Sequence, residues 1–179
     1  MSRGALLAGT AGGIIGTIAS ALGIIWIIVY LFPGPESFLF IYIGPSIFQI
    51  VISILFMALL LVACVLTGIG FYGLYTLGGS SMGVVALIFG IISGSAFLVL
   101  GLTTLFTNAI ILAWIGMLIL LVSFIIIGVA SIVLREFTTH PGTALAAGIL
   151  SIIGGILLGF IFLFVAFLLW AIVFYTTEA

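Results

Sequence analysis

Few residues in this chain could do chemistry, and their spacing decides what kind. Gly68-Ile69-Gly70-Phe71-Tyr72-Gly73 reads literally as G-x-G-x-x-G, the pattern that lets a backbone approach a pyrophosphate at the start of a helix. That use needs a strand before it and an acidic residue about twenty positions on. Here the pattern ends a long apolar run, and the next acidic residue is Glu136. From Thr67 onward the stretch also has the glycine density of a potassium filter, where carbonyls replace an ion's hydration shell. The residue order differs, however, and no short pore helix precedes it. The glycines are therefore read as helix-packing residues, with an aromatic cluster beside them.

His140 is the only histidine and Cys64 the only cysteine. A metal centre needs three or four ligands of this kind, so neither a metal site nor a haem pair can be assembled within the chain. Ser93-Gly94-Ser95 could suggest an intramembrane nucleophile, but its base would have to be His140, which the pattern places in a loop. Packing serines are the expectation. Arg135 and Glu136 are adjacent in a polar stretch and read as a solvated pair. No catalytic, cofactor-binding or metal residue is expected, and the chain does not read as an enzyme.

The elements that would position such groups are set by composition. Of 179 residues, 66% are hydrophobic and 3% charged, against about a quarter charged in soluble domains. So few charges cannot cover a soluble fold, and the solvent must be lipid. The ionic inventory is Arg3, Glu36, Arg135, Glu136 and Glu178, with a net charge of −1, which leaves no basic surface for nucleic acid. A lone cysteine makes no intramolecular disulfide. Arg3 before an apolar run, with Ala19-Ser20-Ala21 further on, imitates a secretory leader. The run continues to Phe32 and is expected to remain as a span.

Five spans are expected in an all-α membrane bundle, over 4–32, 46–76, 82–106, 109–134 and 143–175, forming one transmembrane domain over 1–179 with no soluble domain. Residues 33–45 hold Pro33-Gly34-Pro35 and the short apolar run Phe38 to Ile43. This is too short to cross, so the segment is interfacial, re-entrant or part of span two. Gly78-Gly79-Ser80-Ser81 reads as a turn with a serine cap, and Thr107-Asn108 as a minimal turn joining spans three and four. Trp26, Tyr30 and Tyr72 suit membrane interfaces. The last span carries no charge over 33 residues; at about 1.5 Å per residue it would reach roughly 50 Å.

Small residues at four-residue intervals mark faces where helix backbones can approach closely. These are Gly9 and Gly13, then Gly12, Gly16 and Ser20, in span one; Ala86, Gly90 and Gly94 in span three; and Ala147, Ser151, Gly155 and Gly159 in span five. A polar cavity, if one existed, would be lined by Thr67, Ser93, Ser95, Thr103 and Ser123. An internal repeat is also legible. Ala86 to Ser93 and Ala144 to Ser151 share Ala-Leu-x-x-Gly-Ile-x-Ser, while Leu61-Val62 with Gly68 matches Leu121-Val122 with Gly128. This would make the chain one helix plus two parallel-repeated hairpins. With five spans, both arginines fall on one side, so the positive-inside rule puts the N-terminus in the cytoplasm and the C-terminus outside.

Ion-coupled transporters, proton relays and voltage sensors place ionisable groups at membrane depth, and these spans contain none. The reading is a non-catalytic membrane protein, an accessory or structural subunit of a larger complex or a self-associating bundle, with membrane lipids and other subunits or itself as partners. The alternative is a channel or transporter for a small neutral or apolar solute, which could work through Ser, Thr and backbone groups. A cofactor-dependent membrane enzyme subunit is a second alternative, in which the cofactor or a partner brings the reactive groups.

Overall fold

The structure is a computed structural model that describes residues 2–31, 47–78, 80–107, 110–157 and 159–177. The segment 33–45, Glu36, Asn108 and Glu178 lie outside the described residues, as do the side chains of Trp26, Tyr30, Gln49 and Trp114. The described elements are helices α1 (Ser2–Leu31), α2 (Ile47–Thr76), α3 (Met82–Thr107), α4 (Ile110–Val133), α5 (Pro141–Leu157) and α6 (Phe160–Thr176), with a 3-10 turn at Leu134–Phe137. Four helical stretches are long and apolar enough to cross a membrane, and α5 and α6 are shorter apolar helices of 17 residues each.

The helices follow one another around a ring, each packing on the next, and α6 closes it against α1. Side chains left on the outside are aliphatic, among them Ile14, Ile18, Val51, Ile88, Val122 and Ile172, as a lipid solvent demands. The interior is filled with aromatic rings in edge-to-face contact. Phe71 meets Trp170 at 5.6 Å and Phe174 at 5.1 Å, Phe167 meets Trp170 at 5.4 Å and Phe124 at 5.8 Å, and Phe56 meets Phe97 and Phe160.

The stretch expected as one span over 143–175 is two helices folded back on each other. Ser131 on α4 bonds the Ala144 carbonyl and also receives the Trp170 indole, so both ends of the stretch lie at one level. Thr139 donates to the Thr176 carbonyl at 2.9 Å, and a Cβ on Gly154 would touch Leu163. The break has a local cause. Gly159 N–H bonds Gly154 O at 2.9 Å, the wide closing bond of a Schellman-type helix end. Gly159 itself is extended (φ −86°, ψ 92°), and its carbonyl then accepts the Phe162 and Leu163 N–H groups to start α6.

This doubling back changes where the chain ends. Gly9 of α1 lies against Gly70 and Phe174, so the first turns of α1, the end of α2 and the end of α6 share one end of the bundle. The placement of the two termini on opposite sides rested on a single crossing by 143–175. With that stretch folded into a hairpin, the chain returns to the end it started from.

The loops at this end follow their chemistry. Gly78 takes φ 105°, a conformation that L side chains rarely adopt, and Ser80 Oγ accepts the Met82 N–H at 3.4 Å to start α3. Pro141 takes the first position of α5, where a missing N–H costs nothing, and the His140 carbonyl accepts the Thr143 and Ala144 N–H groups.

The matched blocks of the internal repeat do not occupy matching positions. Gly68 of α2 faces Leu87 of α3, and the sequence match would carry this pair to Gly128 facing Leu145. Instead a Cβ on Gly128 would lie 2.7 Å from the Gly148 carbonyl oxygen, about one helical turn out of step.

Candidate functional site

The residues with chemical potential do not converge on one site, and each is occupied by packing, a helix end or a loop. His140 is exposed in front of α5, Arg135 and Glu136 belong to the 3-10 turn, and Arg3 is exposed on the first turn of α1. Among the described residues no group of three His, Cys, Asp or Glu could hold a metal. Cys64 is 1% exposed inside α2, with the Ser93 side chain against its thiol.

The glycines of the G-x-G-x-x-G pattern face two different neighbours. A Cβ on Gly68 would lie 2.9 Å from Leu87 Cα of α3, one on Gly70 would lie 2.6 Å from Gly9 Cα, and one on Gly73 would lie 3.0 Å from Ala5 Cβ. The pattern lies wholly inside α2, so no helix N-terminus is available to meet a phosphate.

The densest set of close approaches lies on α1, which touches α2 with one edge and α6 with the other. A Cβ on Gly12 would sit 2.5 Å from Thr67 N on α2. One on Gly13 would sit 2.7 Å from Ala171 N on α6, and one on Gly16 would enter the Phe167 ring. On the α2–α3 seam, Gly90 abuts the Cys64 carbonyl, Gly94 abuts Leu61, and Ala86 is fully buried. Ala147 and Ser151 are fully buried and Gly155 faces Leu121 and Phe124 of α4. Gly159, expected on that same helical face, forms the hairpin turn instead. Gly128, singled out only for the internal repeat, and Gly148 and Gly154, absent from the packing series above, are also close approaches; a Cβ on Gly128 would lie 2.7 Å from the Gly148 carbonyl oxygen and one on Gly148 would lie 2.6 Å from that of Gly128.

A polar knot ties three helices together. Trp170 Nε1–H donates to Ser131 Oγ at 3.1 Å, and Ser131 donates to the Ala144 carbonyl at 2.8 Å. One hydroxyl thus links α4, α5 and α6, while Ser151 Oγ adds a 2.9 Å bond to the Phe124 carbonyl of α4. Ser131 was not singled out in the sequence, because a serine in an apolar helix carries no sign of its partner.

The five residues expected around a polar cavity are distributed over α2, α3 and α4. Ser93 donates to the Gly90 carbonyl, Thr103 to Val99 and Ser123 to Ile119, each within its own helix, and Ser95 is exposed on α3. Thr67 is 1% exposed and its hydroxyl has no partner, as is also true of Ser20 on α1. A buried hydroxyl without a bond costs about 1–3 kcal/mol. Thr67→Val keeps the shape and removes that cost, so it is expected to raise the unfolding temperature in detergent. Thr17→Val, which loses a 2.8 Å bond to the Gly13 carbonyl, is expected to give no gain in the same measurement.

No family model matches the chain, and no curated protein and no solved structure is significantly similar to it.

Proposed function

We propose that the chain is a non-catalytic integral membrane component, an accessory or structural subunit of a larger membrane assembly or a bundle that associates with itself. The observation that carries this reading is what fills the interior. Where transporters and membrane enzymes keep charged groups at depth, this bundle has interlocked Phe71, Phe124, Phe167, Trp170 and Phe174, and the described Arg, Glu and His residues, Arg3, Arg135, Glu136 and His140, fall at one end.

The glycine seams that invited a partner helix are taken up by the chain's own helices. Partner recognition in this reading therefore belongs to the aliphatic outer faces and to the polar end, where Tyr72, Tyr75 and Tyr175 are also exposed. Such tyrosines suit a headgroup layer. Because Arg3 and Arg135 share that end, we place it, with both termini, on the cytoplasmic side.

The test is the mass of the particle after extraction in mild detergent. A stable particle larger than the 18.7 kDa chain, after allowance for bound detergent and lipid, is the expected result. A monomer that moves a neutral solute across reconstituted vesicles would contradict the reading and favour the channel alternative.

A further inference from the structure

We propose that the outward face of α3 centred on Ser95 is a contact with a second copy of the chain, made across a two-fold axis along the membrane normal. This rests on the self-associating form of the reading above and names its surface. The inner faces of α3 are taken up within the ring: a Cβ on Gly90 would touch the Cys64 carbonyl of α2, one on Gly94 would touch Leu61, and one on Gly116 of α4 would meet Leu100. Ile88, Ile91, Ile92, Ser95 and Val99 are left exposed. The aliphatic four suit lipid, and Ser95 does not. It sits near the middle of α3, roughly 18–20 Å from either end at 1.5 Å per residue, which is the centre of the hydrocarbon.

Other hydroxyls at this depth have a partner or protein around them. Among the described residues Thr10, Thr17, Ser93, Thr103 and Ser123 bond a carbonyl of their own helix, Ser131 and Ser151 bond across helices, and Ser20, Ser53 and Thr67 are buried. Away from the helix ends, Ser95 is the described hydroxyl that is exposed and forms no bond. Hydrocarbon offers it nothing. A hydroxyl is donor and acceptor at once, so a second hydroxyl is its direct complement, and a second copy inserted in the same direction carries one at the same depth. A two-fold contact is self-complementary in this way. One Ser95 donates to the other, whose own proton turns to a carbonyl of its helix as that of Ser123 does. The small side chain at the crossing lets the two helices approach, and Ile88, Ile92 and Val99 flank it with side chains that have little χ1 freedom to lose. A different subunit would have to supply a polar group at this level; a second copy always does.

The experiment is disulfide cross-linking of the full chain in lipid vesicles, oxidised with iodine, which enters the bilayer. The variants are Ser95→Cys, with Ile92→Cys and Val99→Cys about one turn away on the same face, and Ile14→Cys and Ile172→Cys on the outer faces of α1 and α6 as controls for chance collision. Cys64, 1% exposed, stays in place, and the unsubstituted chain is the blank. The expected result is several-fold more covalent dimer at Ser95→Cys than at either control, with Ile92→Cys and Val99→Cys between. Energy transfer between labelled copies in the same vesicles gives a second readout without oxidant. Ser95→Leu is expected to separate the pair, Ser95→Ala to weaken it about threefold, the share of an average hydrogen bond between membrane helices, and Ser95→Thr to keep it. If Ser95→Cys cross-links no more than the controls, or Ser95→Leu leaves the energy transfer unchanged, lipid or another subunit covers this face and the inference fails. A particle larger than the 18.7 kDa chain without that cross-link keeps the reading above and discards this face, whereas a monomer discards both.

Discussion

Replacing Gly12 with alanine is expected to force α1 away from α2 and to lower the stability of the detergent-solubilised protein by about 1–3 kcal/mol, the usual cost of overpacking. The new Cβ would lie 2.5 Å from Thr67 N and 2.8 Å from the Leu66 carbonyl carbon. Both are backbone atoms of a regular helix, so neither can rotate away and the whole seam must open. Gly13→Ala is expected to cost a similar amount against α6, where Ala171 N and the Phe167 carbonyl each lie 2.7 Å away. Gly4 is the control, because nothing lies within 4 Å of a Cβ there. Gly4→Ala should be neutral or stabilising by up to about 1 kcal/mol through helix propensity. Thermal unfolding of the three variants in one detergent checks the order.

The second large effect is expected at Ser131. Ser131→Ala strips the Trp170 indole of its acceptor while the ring stays 0% exposed, and a buried donor left without a partner costs about 1–3 kcal/mol. Ser151→Ala removes only a bond to a carbonyl already inside a helix, for which membrane proteins average about 0.6 kcal/mol. The double variant Ser131→Ala with Trp170→Phe should therefore lose less than the sum of the two single variants, because the second change removes the stranded donor. Additive losses would mean that the indole bond contributes nothing.

The ends of α1 to α4 lie within two residues of where hydropathy and turn residues put them. Their lengths are dictated by bilayer thickness, and thickness is written into composition. The break between α5 and α6 was not legible for a physical reason. Ala147, Ser151, Gly155 and Gly159 keep the four-residue interval of a continuous packed face, and no proline, charge or polar residue interrupts 152–175. A helix end closed by glycine alone leaves only Gly154-Gly155 and Gly159 as signal, and the same glycines serve equally well inside a seam. The small residues of the packing faces could be picked out by spacing, but not their partners: Gly12 and Gly13 are neighbours in sequence and serve different helices. The direction of a hydroxyl was likewise beyond reach. Spacing cannot distinguish Ser93, bonded within α3, from Ser131, which ties three helices.

These features give one account of the chain: a ring of helices held by backbone contact at glycines, closed by a hairpin that returns the end of α6 to the level where α1 starts, and filled by aromatic rings. The hairpin is the part on which the topology and the closed ring both depend. It is tested most directly by the distance between spin labels at Ala146→Cys and Ile172→Cys, both at exposed positions on the hairpin's two arms. Adjacent arms pack about 8–10 Å apart axis to axis, and the account predicts a label separation under about 20 Å. A continuous helix over the same residues would hold them about 39 Å apart at 1.5 Å per residue, and that longer distance would contradict it.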